Sequence, residues 1–98
     1  MNLDPLLNNK INSIIELYSN GQFKESLIAI NALIDQHPKE SLLHNISGVI
    51  LKSTGQLKTA VQSFSKAVSI KPDFADAHYN LGLTLQDLNQ LEDAIKSY

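Results

Sequence analysis

The feature that most constrains this sequence is a short phrase that returns every 34 residues. It reads GQFKES at Gly21–Ser26, GQLKTA at Gly55–Ala60 and NQLEDA at Asn89–Ala94. Further identical residues coincide at the same shift: Pro38 with Pro72, His44 with His78, and Gly48 with Gly82. A fixed period of this length is typical of a solenoid, in which each unit buries its apolar face only against its neighbours.

Each unit is predicted to contain two helices. In the second unit, apolar residues recur at helical spacing over Ser41–Ser53 and again over Leu57–Ile70. Gly55 separates the two stretches, and Pro72 ends the second because proline disfavours helical geometry in the residue before it. The same pattern predicts helices near 5–19, 23–36, 40–53, 57–70, 74–87 and 91–98.

The predicted fold is all-α, a right-handed α-solenoid of antiparallel helix hairpins with about two and a half repeats. We expect one domain, residues 1–98. It divides into a degenerate N-terminal repeat at 7–40, a complete repeat at 41–74 and a truncated repeat at 75–98.

Small residues inside the helices have a predicted packing role. Glycine costs about 1 kcal/mol relative to alanine in a helix interior, and this cost is tolerated where another helix approaches closely. We expect Gly48 and Gly82 to be such positions, with small residues on one helix receiving large ones, such as Phe64 and Leu51, from the other. Three alanines fit the same logic: Ala60, Ala67 and Ala94.

These residues resemble the tetratricopeptide repeat (TPR) family, whose 34-residue pattern runs W-x2-L-G-x2-Y, then A-x3-F, then P. In the second unit, Gly48, Ala60, Phe64 and Pro72 match, whereas His44 replaces the Trp and Ser47 the Leu. In the third unit, Leu81, Gly82 and Ala94 match, and Tyr98 stands where the Phe belongs. In the first unit only Pro38 matches, with Ile14 in place of the Gly and Ser26 in place of the Ala. The segment ADAHYNLGLTLQDLNQLEDAIKSY looks especially like the long arrays of O-linked N-acetylglucosamine transferase.

Composition excludes several classes of function. The chain has no Cys, so disulfides and thiolate chemistry are excluded. Its eight basic residues are all Lys, and the net charge is −2. The missing Arg and the lack of a basic cluster predict no nucleic-acid partner and no anionic membrane partner. No apolar run is long enough for a membrane helix, and no signal peptide is apparent, so a cytoplasmic location is expected.

No pattern in the sequence predicts catalysis. The histidines are His37, His44 and His78, and the last two are repeat equivalents, so we expect them to fill the same niche between helices. There is no His-x3-His pair, no pair of carboxylates on one face and no Gly-rich phosphate loop. The chain is therefore predicted to be no enzyme, with no catalytic residue, no metal and no cofactor.

The predicted function is that of a protein–protein interaction module. Resemblance to the family implies that the first helix of each unit lines a concave groove that takes a peptide or a helix of a partner. A central apolar row is formed by Ile15, Val49 and Leu83. The alternative is that these apolar side chains only pack against neighbouring helices. The predicted partner-binding residues are Ile11, Ile15, Tyr18, Leu42, Asn45, Val49, Lys52, Asp76, Tyr79, Asn80 and Leu83.

Two family possibilities are disfavoured by particular residues. Chaperone-binding members clamp a C-terminal carboxylate with Lys, Arg and Asn. The corresponding positions here resemble Ile11, Ile15, Ile46, Asp76 and Asn80, of which only Asn80 could serve, so no clamp is expected. An RNA-binding helical repeat of the pentatricopeptide type is disfavoured by the missing Arg and the negative charge.

The last predicted helix ends after eight residues at Tyr98, which favours a fragment of a longer protein. The chain would then be an N-terminal recognition or scaffold segment of a multidomain enzyme, such as a glycosyltransferase or sulfotransferase; this is the alternative function. The apolar C-terminal face predicts a homodimer.

Overall fold

Five α-helices make up most of residues 4–97, the part of the chain that this computed structural model describes. This confirms the all-α helical repeat. The first four helices begin and end within a residue of the predicted limits. In chain order they are α1 Pro5–Ser19, α2 Phe23–Gln36, α3 Ser41–Ser53, α4 Leu57–Ile70 and α5 Ala75–Ser97.

Both turns within the hairpins depend on a glycine in the left-handed region. Gly21 has φ +80° and Gly55 has φ +81°. At Gly55 the next backbone N–H, that of Gln56, donates to the Leu51 carbonyl at 2.9 Å, and the Gly55 N–H donates to the Lys52 carbonyl at 3.1 Å. This pair of bonds satisfies carbonyls at the end of α3 and reverses the chain, and the same two bonds end α1.

The loops between units share a histidine bond. Nε2 of His44 donates to the Pro38 carbonyl at 2.9 Å, and Nε2 of His78 donates to the Pro72 carbonyl at 2.7 Å. Each imidazole therefore ties the first turn of a helix to the loop that precedes it. The two repeat-equivalent histidines have the same structural role, but each binds the preceding loop and not a niche between helices.

The predicted break between helices 74–87 and 91–98 is wrong, because α5 continues through it for 23 residues. The residue equivalent to Gly21 and Gly55 is Asn89. Asparagine adopts the left-handed conformation less readily than glycine, whereas continuing the helix requires no such conformation. The third unit therefore lacks a hairpin in the described residues.

Two apolar clusters form the core. The first joins three helices through Leu7, Ile11, Ile14, Ile30, Leu33, Leu43 and Ile50. The second joins α3 to α4 through Leu51, Ala60 and Phe64, with Leu81 of α5 packed against it. A Cβ added at Gly48 would lie 2.5 Å from a carbon of the Phe64 ring, so the predicted glycine–aromatic contact between α3 and α4 is confirmed.

Packing between helices follows the order of the chain. Each helix contacts the next, and α3 also contacts α5. The resulting row measures 50 × 30 × 19 Å. Among residues 4–97, no helix combines the length and the apolar character needed to cross a bilayer.

Candidate partner-binding surface

Polar contacts join the first helices α1, α3 and α5 along one face. The Tyr18 hydroxyl and the Ser53 hydroxyl are hydrogen-bonded, which ties α1 to α3. Between α3 and α5, Nδ2 of Asn80 donates to Oδ1 of Asn45 at 3.1 Å. Lys52 lies 3.8 Å from the Asp87 carboxylate. Four residues predicted to contact a partner therefore also connect neighbouring units.

An apolar cavity of about 220 Å³ opens between α1 and α3 on this face. Its lining brings together three predicted site residues with three further isoleucines: Ile15, Tyr18 and Val49, with Ile14, Ile46 and Ile50. Ile15 is 46% exposed at the rim, whereas Val49 is half-buried. The central apolar row is thus accessible where α1 meets α3.

Ile46 is the cavity residue that the predicted site omits. It is half-buried and packs against the first core cluster as well as lining the cavity. The prediction took one stripe per helix at i, i+3, i+7 and i+10 spacing, and Ile46 lies one residue outside that stripe. A wider stripe, of the width that surface helices commonly bury, includes it.

Ile11 is removed from the site, because its side chain is 5% exposed and lies in the first core cluster. Its repeat equivalents differ sharply: Asn45 is 9% exposed and Tyr79 is 68% exposed. Asn45 is covered by its bond to the following unit, and within the described residues no helix follows α5 to cover Tyr79. Burial at this position is therefore set by the neighbouring unit.

The remaining predicted residues lie on the same three helices but outside the cavity. Leu42 is half-buried against the first core cluster. Asp76 is exposed in the first turn of α5, and Leu83 is half-buried further along that helix. None of these three residues lines the cavity.

This surface presents both apolar and amide groups. The cavity is lined by apolar side chains. Asn45, which precedes the cavity residue Ile46 in the sequence, provides amide groups together with Asn80. No group of three His, Asp or Glu side chains within residues 4–97 is arranged to hold a metal ion.

Helix hairpins that repeat every 34 residues and pack in chain order define an α-helical repeat protein. Residues 48–89 match the family model described as the TPR repeat. This segment is therefore a tetratricopeptide repeat, and TPR repeats are protein–protein interaction modules. The matched segment runs from Gly48 in α3 to Asn89 in α5. No curated protein matches the chain.

Proposed function

We propose that the chain binds a peptide segment of a partner protein on the face formed by α1, α3 and α5. An apolar side chain of the segment enters the cavity between Ile15 and Val49. The observation that supports this proposal is the cavity itself, which combines an apolar lining with an exposed rim.

Exposure of Ile15 provides part of the binding free energy. Removing apolar surface from water contributes about 25 cal/mol per Å², and full burial of an isoleucine contributes roughly 1.5–3 kcal/mol. Since Ile15 is about half exposed, covering it contributes about 1 kcal/mol on that scale. A side chain entering the cavity also gains contacts with the half-buried Ile46 and Val49.

The Asn45–Asn80 bond suits recognition of an extended backbone. It uses the amide nitrogen of Asn80 and the amide oxygen of Asn45. The Asn45 nitrogen and the Asn80 oxygen are outside that bond, so the pair retains an NH2 group and a carbonyl oxygen for further hydrogen bonds. A peptide bond presents the complementary C=O and N–H, which makes the pair a suitable partner for a chain of any sequence.

Charge on this face disfavours the C-terminus of a partner chain. Lys52 is paired with Asp87 across α3 and α5. Asp76 is exposed on the same helix and repels a terminal carboxylate. The proposed ligand is therefore an uncharged stretch with a large apolar residue, bound through its backbone.

The proposal is tested by selecting short random peptides displayed on phage against the 98-residue protein. The affinities of the selected peptides are then measured by fluorescence anisotropy for the wild type, Ile15→Glu and Ile28→Glu. We expect Ile15→Glu to weaken binding at least about tenfold, equivalent to about 1.4 kcal/mol, since it places a charge at the cavity rim.

Ile28→Glu is the matched control, because Ile28 is a 63%-exposed isoleucine on α2, outside the cavity. Its affinity for the peptides should equal that of the wild type. Val49 is less suitable than Ile15, since it also packs against the second core cluster. Equal loss in both variants, or no loss in either, contradicts the proposed site.

A further inference from the structure

We propose that the segment bound in the cavity carries a glutamine or an asparagine three residues away from its apolar residue, and that Lys52 and Asp87 bind the carboxamide. This inference rests on the proposed function and specifies the ligand further. Its evidence is a second subsite, one unit along the same face, whose chemistry differs from that of the cavity.

Contacts between successive first helices follow one rule along this face. The bond between Tyr18 and Ser53 joins α1 to α3, and the pair of Lys52 and Asp87 joins α3 to α5. The two members of each pair are 35 residues apart, and the second pair is the first shifted by 34 residues. The ion pair therefore occupies the position that the two hydroxyls occupy one unit earlier.

The same shift replaces much of the apolar lining of the cavity with polar side chains. Asn80 donates to Asn45, and the hydroxyl of the fully buried Thr84 donates to the Asn80 backbone carbonyl at 2.6 Å. The subsite between α3 and α5 is therefore polar where the cavity between α1 and α3 is apolar. The replacements are Lys52 for Tyr18, Asn80 for Ile46 and Thr84 for Ile50.

Lys52 and Asp87 attract each other without forming a short hydrogen bond. Nζ of Lys52 lies 3.8 Å from Oδ2 of Asp87, beyond the range of about 2.7–3.2 Å for an N–H···O bond. The side chain of Lys52 is 29% exposed and that of Asp87 is 48% exposed. Donors on the ammonium and lone pairs on the carboxylate are therefore accessible to a ligand.

A carboxamide satisfies both members of such a pair. Its carbonyl oxygen accepts from the ammonium of Lys52, and its NH2 group donates to the carboxylate of Asp87. A charged side chain would attract one member and repel the other. An aliphatic side chain would remove water from both charges without replacing its hydrogen bonds. Asparagine and glutamine are therefore the preferred side chains at this subsite.

The spacing in the ligand follows from the distance between units. Packed helices lie about 8–10 Å apart, axis to axis. A polyproline II segment has about three residues per turn and rises about 3.1 Å per residue, so side chains three residues apart point the same way about 9 Å from each other. This conformation has no internal hydrogen bonds, which leaves the ligand backbone free to bond the Asn45–Asn80 pair.

A phage library with a fixed leucine between random flanks tests the inference. Peptides are kept if they lose affinity for Ile15→Glu. We expect asparagine or glutamine to be enriched three positions from the leucine. In synthetic copies of these peptides, replacing the carboxamide residue with leucine or glutamate should weaken binding at least about tenfold in fluorescence anisotropy.

Removing the ion pair should remove the preference. For Lys52→Met with Asp87→Leu, the peptide with leucine in place of the carboxamide residue should bind at least as tightly as the original. Asp35→Leu with Lys66→Met is the matched control, because it makes the same two changes at exposed positions of α2 and α4. This control should keep the preference.

The two proposals fail in different ways. Peptides that depend on Ile15 but show no carboxamide preference overturn this inference alone. A preference that survives the loss of Lys52 and Asp87 also overturns it alone. If no selected peptide depends on Ile15, the proposed function fails and this inference fails with it.

Discussion

At the residue scale, Gly48 and Gly82 occupy equivalent helix positions with opposite surroundings. Gly48→Ala should lower the free energy of unfolding by about 1–3 kcal/mol, because its methyl group would collide with a fully buried Phe64 ring. Gly82→Ala should raise the free energy by about 0.5–1 kcal/mol, because alanine is the better helix former and its methyl group meets nothing. Urea denaturation of dilute protein, at concentrations where it is monomeric, measures both.

The two alanine variants control for each other, since they carry the same change at the same place in the repeat. Equal changes in the free energy of unfolding would show that helix propensity alone determines the effect of both substitutions, and that the Phe64 contact contributes little.

The sequence could predict the Gly48–Phe64 contact because both members lie in one complete unit. It could not predict that Gly82 would be open or that Ile11 would be buried. Spacing along a helix identifies a face, whereas the helix that covers the face belongs to another part of the chain. For that reason Tyr79 is exposed and Asn45 is buried, although both have the same position in the repeat.

At the scale of the element, the residue at position 89 determines whether α5 continues or folds back. Asn89→Gly should favour a hairpin in the third unit, since glycine adopts the left-handed conformation without steric cost and is a poorer helix former. Folding back would also bury Leu91 and Ile95, which are exposed on the straight helix. Spin labels on cysteines placed at Asp76 and Glu92 report the change in dilute protein.

In the straight helix those labels are about 24 Å apart along the axis, at a rise of about 1.5 Å per residue. A shorter distance population should appear in the Asn89→Gly variant. An unchanged distance distribution would mean that the turn residue does not decide the course of α5.

The limits of α1 to α4 were predictable because each helix has a stop signal, either a glycine at positive φ or a proline after its end. The repeat also suggested a stop at Asn89, but asparagine there is compatible with both a turn and a helix. Pattern alone could not choose between the two conformations, and the structure continues the helix.

At the scale of the whole molecule, stability should vary along the row of helices. Neighbour-only packing makes solenoid stability a sum of local terms. Backbone amides of α3 and α4, which contribute Leu51, Ala60 and Phe64 to the second core cluster, should exchange slowest with deuterium. Amides of residues 91–97 should exchange fastest among the helices, because the described side chains there are exposed.

Hydrogen exchange followed by mass spectrometry measures this gradient. Uniform protection from α1 to α5 in dilute protein would instead indicate a single cooperative unit.

The position of Tyr18 has a practical consequence. The sequence contains no Trp and three Tyr, so ultraviolet emission of the native protein comes from tyrosine alone. Tyr18 lines the cavity, is hydrogen-bonded to Ser53 and lies 5.3 Å from the ring of Phe23. A ligand that enters the cavity changes the solvent around this phenol. Occupancy can therefore be followed optically with a Trp-free ligand and without attaching a dye to the protein.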